Sequence, residues 1–197
     1  MMYSLDLVVF RYLNSWVGVS PFFDWAIRFR AIYLWYLVIA AVLLFVAIPF
    51  VFPRARSARA RNLRLLRDAA VAAFVGRYVI TELIRFSYSR PRPFEVLTDA
   101  HQIIAHTTGG SFPSGHAALS FAIAAAVSFY YPKTSIFFFL AAFSIGVSRV
   151  AAGIHWPSDI FGGAVVGIAT SIAVQKLLSY HAAPPSPLSH GTDERSG

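Results

Sequence analysis

At 197 residues, 57% of them hydrophobic and with a mean hydropathy of +0.59, the chain has the size of one domain and is more apolar than a soluble domain normally is. The 17 Lys and Arg against 9 Asp and Glu give a formal charge of +8, but six arginines fall between Arg54 and Arg67 with apolar stretches on either side. That placement fits the positive-inside rule and anionic headgroups, and argues against nucleic acid as a partner. Cysteine is absent, which excludes disulfides, thiolate metal sites and a cysteine nucleophile.

Residues 3–17 carry Leu5, Val8, Val9, Tyr12, Leu13 and Trp16 at the spacing of one helical face, interrupted by Asp6, Arg11 and Asn14. The pattern predicts an amphipathic helix, interfacial or packed on a bundle, and the same charges argue against a cleaved signal peptide. Ser20-Pro21 marks a break, and residues 21–30 read as a second short interfacial segment with Asp24, Arg28 and Arg30 toward headgroups. Residues 31–52 carry no charge and are long enough, at about 1.5 Å per residue, to cross a hydrocarbon core of roughly 30 Å. After an arginine-rich loop at 53–67, residues 68–86 form the next crossing. Their Arg77, Glu82 and Arg85 are expensive in lipid, so this helix is expected to line a polar site.

Residues 115–131, 134–152 and 157–178 supply three further apolar helices. The expected fold is therefore all-α, an integral-membrane bundle of about five spans plus the N-terminal amphipathic helix, or six if that segment crosses. One membrane-embedded domain covers 1–182, and the proline-rich polar tail 183–197 is read as a disordered cytoplasmic segment. Gly163 and Gly167, four residues apart in the last span, read as a helix-packing notch. If the loop at 53–67 is inside, parity puts 86–113 and 153–156 outside.

Three blocks then fall on that outer face: Arg85 with Arg92-Pro93, Pro113-Ser114-Gly115-His116, and Ser148-Arg149 with His155 and Asp159. Arg85, Arg92 and Arg149 offer forked, permanently charged donors for phosphate oxygens. Ser114 and Gly115 stand at a helix start, where free N–H groups and the helix dipole attract anions. His155 precedes Pro157, a favoured first helical residue, so Asp159 lies in the first turn and can reach back to orient the imidazole as a nucleophile. His116 is the available general acid and base.

These blocks resemble the type 2 phosphatidic acid phosphatase superfamily, whose signatures read K-x6-R-P, P-S-G-H and S-R-x5-H-x3-D. The second and third are complete, and the first carries Arg85 where the family usually has lysine. The resemblance covers about residues 80–165. It implies His155 as nucleophile, Asp159 as its partner, His116 as acid, Arg85, Arg92, Ser114, Gly115 and Arg149 as phosphate holders, and no metal or other cofactor. It also implies a lipid phosphate or diphosphate substrate among membrane lipids, in a bacterial cytoplasmic membrane with the site outside. Undecaprenyl diphosphate leads, and phosphatidylglycerophosphate, phosphatidic acid and lipid A remain alternatives. A nonhydrolytic lipid transporter and a vanadium-dependent peroxidase are the readings from other classes. Oligomeric state is not legible. His101 and His106 match no signature and read as solvated loop residues, with a metal site alongside Glu95 or Asp99 as the minor alternative. Arg77 reads equally as a structural partner of Glu82 or as a headgroup contact.

Overall fold

The structure is a computed structural model described over residues 2–181, so the tail assigned to 183–197 lies outside the described residues. All regular structure among the described residues is helical. The helices α1 (Met2–Asn14), α2 (Pro21–Ile32) and α3 (Leu34–Val51) are followed by a 3-10 turn, Pro53–Ala58. Then come α4 (Arg59–Phe74), a π-helical turn Val75–Ile80, α5 (Thr81–Ser87) and the short α6 (Pro93–Val96). Helices α7 (Gly115–Tyr130), α8 (Pro132–Ala151) and α9 (Pro157–His181) complete the bundle.

Three segments, Leu34–Val51, Pro132–Ala151 and Pro157–Leu178, are long and apolar enough to cross a membrane. The other two expected crossings are unlike them for physical reasons. Helix α7 has only 16 residues, and residues around its whole circumference, among them Ala117, Ala118, Ala122, Ala124, Ala125 and Ala126, are buried. It is the central post of the bundle and meets protein rather than lipid, as a helix apolar all round should. Small side chains let its neighbours come close. Helix α4, the π turn and α5 form one continuous rod, helical through the junctions at Phe74, Val75, Ile80 and Thr81.

That rod corrects the loop expected at 53–67: the helix reaches back to Arg59. Arginine, leucine and alanine are good helix formers, and Asn62, Leu65, Asp68, Ala69 and Ala72 repeat at helical spacing along the buried face. The arginines stay on its outer side, where Arg59 Nε donates to Pro49 O at 2.9 Å and Arg61 Nε to Tyr131 Oη at 2.9 Å. Tyr130 and Tyr131 in turn bond to Asp68 and Asn62. These contacts gather at the C-terminal end of α7, whereas the Ser114-Gly115-His116 block is at its N-terminal end. The arginine-rich end and the motif end are therefore opposite ends of the bundle.

Helix α1 lies in an orientation the hydrophobic pattern does not predict. Leu5, Val8 and Tyr12 face outward at 68, 67 and 64% exposure, whereas Asp6, Phe10 and Asn14, spaced four apart, turn into the bundle. In a lipid environment apolar side chains are stable outside, and polar ones are satisfied only by protein partners. Asn14 has them: its Nδ2 donates to His101 O and Ala151 O at 2.8 Å, and its Oδ1 accepts from His101 N at 2.8 Å. Helix α2 is capped by Ser20, and its Phe22, Trp25 and Phe29, with Tyr33 just past its end, form a ladder of ring contacts.

Helix α9 rests on α7 through the predicted notch. A Cβ on Gly163 would lie 2.4 Å from Ser114 O, and one on Gly167 would lie 2.3 Å from Ala118 O and 2.8 Å from Ala122 N. Both obstacles are backbone and cannot rotate away. Gly167→Ala is expected to lower thermal stability in detergent by about 1–3 kcal/mol, the usual cost of overpacking. Gly76→Ala, whose new methyl would meet Thr170 at an ordinary 3.6 Å, is expected to leave the melting temperature near that of the parent.

Candidate active site

The three motif blocks converge at the N-terminal ends of α7 and α9 and the C-terminal end of α8. Ser114 N donates to Asp159 O at 2.9 Å, joining the second block to the third. Arg92 Nη1 donates to Ile154 O at 2.8 Å, joining the first to the third, and Arg85 Nη2 donates to Pro113 O at 2.9 Å, joining the first to the second. Arg149, on the last turn of α8, donates from Nη1 to Ala31 O at 3.1 Å. Each arginine is thus held to a carbonyl of another element, and Arg92 Nη2 also donates to Gly110 O at 3.4 Å and Arg85 Nη1 to Glu82 Oε1 at 3.2 Å.

The Nε donors of all three have no protein partner: among the described residues, Nε of Arg85, Arg92 and Arg149 and the hydroxyls of Ser114 and Ser148 are buried with no hydrogen bond. A buried donor without an acceptor costs free energy, and three cationic ones near each other cost more, so the arrangement is suited to an anion. The helix start contributes less backbone than expected, because Ser114 N–H is already taken by Asp159 O; the hydroxyl is the group this residue offers. Gly115 matters through a close approach: a Cβ there would fall 2.4 Å from Arg77 Nε. Arg77 is carried by the π turn, a feature that often marks functional positions, and also pairs with Glu82 at 2.5 Å. The pair with Glu82 bears out the structural reading of Arg77.

His155 is fully buried between Asp159 and Arg92. Its Nδ1 lies 3.2 Å from Asp159 Oδ2 and its Nε2 3.3 Å from Arg92 Nη1. Asp159 Oδ2 also accepts from Trp156 N at 2.8 Å, which fixes the carboxylate. Burial, then the charges of Arg149 and Arg92, push the His155 pKa well below its usual value, so the imidazole is neutral at neutral pH. Burial and Arg85 lower Arg92 to about 10, which leaves it cationic. His116 meets the Trp35 ring edge-on at 5.6 Å between centroids and lies within electrostatic reach of Arg149, His155, Arg77 and His106. The two motif histidines thus lie within electrostatic reach of each other.

Three residues here escaped the sequence reading. Arg90 binds Asp159 Oδ1 at 2.9 Å and Asp6 Oδ2 at 2.8 Å and lies over the Trp156 ring at 5.1 Å. Asp6, read as a break in α1, is buried in that pair. His106, read as solvated, is half-buried with its ring 6.4 Å from that of His155, and its pKa is lowered by burial and by Arg92, Arg149 and Arg85. His101 is exposed as expected. Among the described residues no group of three His, Asp or Glu gathers as a metal site; Glu95 accepts from Arg92 N at 2.6 Å and Asp99 pairs with Arg11 at 3.2 Å.

The model of the PAP2 superfamily matches residues 68–182, which contain all three blocks. The chain belongs to the PAP2 superfamily. It is 26% identical over 171 residues to the "Bacitracin transport permease protein BcrC" of Bacillus licheniformis, covering 87% of this chain and 79% of that one. It is 38% identical over 90 residues to the "Undecaprenyl-diphosphatase BcrC" of Bacillus subtilis, 46% of each chain. The solved Aquifex aeolicus LpxE superposes with a TM-score of 0.68 at 28% identity, over 87% of this chain and 95% of that one. The PAP2 chain is an integral-membrane phosphatase of this superfamily.

The cluster of unpaired guanidinium donors gives a test that needs no turnover. Orthovanadate at about a hundredfold excess over its dissociation constant is expected to stabilise the purified protein by roughly 2.7 kcal/mol. Arg149→Gln is expected to abolish that thermal shift.

Proposed function

We propose that this PAP2 phosphatase hydrolyses a lipid phosphate or diphosphate at the outer face of a bacterial cytoplasmic membrane, with undecaprenyl diphosphate as the leading substrate. The observation that carries the chemistry is His155: Nδ1 is held by Asp159 and Nε2 opens on the arginine cluster. In the first step Nε2 attacks phosphorus while Arg85, Arg92, Arg149 and the Ser114 hydroxyl hold the nonbridging oxygens. A P–N bond forms, the P–O bond to the leaving group breaks, and His116 donates a proton to the departing oxygen. In the second step His116 takes a proton from water, water attacks the phosphohistidine, and phosphate leaves with His155 restored.

A lipid, rather than a soluble ester, fits the surroundings. An apolar groove of about 240 Å³ runs between α3, α4 and α7, lined by Ile39, Leu43, Leu66, Ala69, Ala73 and Leu119 among others. It begins one turn beyond the site: Leu119 follows His116 by three residues, Ile39 follows Trp35 by four, and Ala73 precedes Arg77 by four. A headgroup at the arginines would leave its chain directed into this groove. The outer-face assignment is supported by the separation of the arginine-rich end from the motif end, under the positive-inside rule.

The decisive measurement is phosphate release by purified protein from undecaprenyl diphosphate, phosphatidylglycerophosphate, phosphatidic acid and lipid A. Fastest release from the polyprenyl diphosphate is expected, and another ranking would reassign the substrate. His155→Ala and Asp159→Asn are expected to lower turnover by at least about 100-fold with insertion intact. A transport reading draws on the printed name of the Bacillus licheniformis relative. It requires headgroup binding without release, and His155-dependent phosphate release excludes it as the whole function. Ala73→Phe, which fills the groove, is expected to raise KM for long-chain lipid substrates severalfold and leave hydrolysis of a short water-soluble phosphoester unchanged.

A further inference from the structure

Behind the proposed nucleophile stands a chain of alternating charge. Asp159 uses Oδ2 for His155 and Trp156 N, and Oδ1 for Arg90 Nη1 at 2.9 Å. Arg90 Nη1 also donates to Ser158 Oγ at 2.6 Å, and Nη2 to Asp6 Oδ2 at 2.8 Å. Asp6 Oδ1 accepts from Ser158 N at 2.9 Å and Oδ2 from the Ser158 hydroxyl. Asp6, Arg90 and Asp159 are 6, 7 and 0% exposed. Asp6 therefore does two things from a separate helix: it caps a free N–H in the first turn of α9, the turn that carries Asp159, and it holds the second arm of Arg90.

We propose that Asp6 and Arg90 are positioning residues for the phosphoryl-transfer step, forming a relay His155–Asp159–Arg90–Asp6 that makes the N-terminal helix part of the catalytic apparatus. The inference rests on the reading of His155 and Asp159 as nucleophile and orienting acid. Its physical basis is charge balance in a buried setting. Attack by Nε2 develops positive charge on the imidazole, which Asp159 must stabilise. Arg90 alone would neutralise Asp159 and draw its carboxylate away from the ring. Asp6 shares Arg90, so the buried set of two carboxylates and one guanidinium keeps one net negative charge behind His155. The ion pairs also hold Asp159 in a single rotamer, with its Oδ2 toward Nδ1. Asp6 lies outside residues 68–182, the part of the chain that matches the superfamily, so none of the three blocks assigns it.

The test uses the full chain in lipid nanodiscs, with three readouts. Asp6→Asn is expected to reduce kcat about 10- to 100-fold, by analogy with the loss of an outer partner that orients a metal-bound histidine, with KM within about threefold. Its vanadate-induced thermal shift should remain, because the arginine cluster is untouched. Asp6→Glu should recover part of the lost turnover. The double variant Asp6→Asn with Arg90→Gln should lose little more than Arg90→Gln alone. In proton NMR, the downfield Nδ1–H resonance assigned by its loss in His155→Ala should move in Asp6→Asn, a readout independent of turnover. Parental kcat in Asp6→Asn, strictly multiplicative losses in the double variant, or an unmoved Nδ1–H signal would each overturn the relay. Turnover that survives His155→Ala would instead overturn the nucleophile assignment, and the Nδ1–H readout would still judge the geometry.

Discussion

Bringing several arginines to one end of an apolar bundle is the constraint that organises this protein. Like charges in a poorly polarisable interior repel, and each must be anchored before it can be used. The anchors are carbonyls of other elements: Pro113 for Arg85, Ile154 for Arg92 and Ala31 for Arg149. Arg85 and Arg92 commit both terminal nitrogens to the fold, Arg149 commits Nη1 to Ala31 O, and all three leave Nε buried without a protein acceptor among the described residues. The same bonds that hold the cations in place tie α5, α6, α7, α8 and the α2–α3 junction together. Holding the cations and closing this end of the bundle are thus one set of interactions.

The central helix makes that convergence possible. With alanines around α7 and glycines at 163 and 167 on α9, the two backbones come close enough for Ser114 N to reach Asp159 O. The second and third blocks are joined by that single bond, and the imidazole and helix start acquire a common frame. Membrane helices gain little from burying one another's apolar surface, so close backbone approach and buried polar bonds carry much of the association.

The sequence made the all-helical class, the approximate helix positions and the three blocks legible, because each rests on local periodicity or fixed spacing. Residues defined by long-range partners were not. Asp6 looked like a flaw in an amphipathic pattern because its partners, Arg90 and Ser158, are 84 and 152 positions away. Arg90 stood two residues before a signature arginine with nothing in its own surroundings to mark it. His106 lay in a polar loop, and only folding brings its ring beside His155. The start of α4 was missed for a different reason: clustered charge was weighed above helical period. The inward face of α1 reverses a rule that holds in water. When the surroundings are lipid, polar residues along a helix mark the side that meets protein.

The loop between α6 and α7 is pinned at its two ends and also touches the bundle between them, where Ile103 N donates to Ala152 O at 3.4 Å. His101 is held by Asn14 and lies against Gly153, whose φ of +84° and a would-be Cβ only 2.5 Å from His101 O leave no room for a side chain. At the far end Ser111 N is fastened to Arg90 O at 2.9 Å. Between these clamps the His106 ring sits 6.4 Å from that of His155, so the course of the loop is tied to the motif end of the bundle. A change in the length of this stretch would therefore move His106 relative to His155.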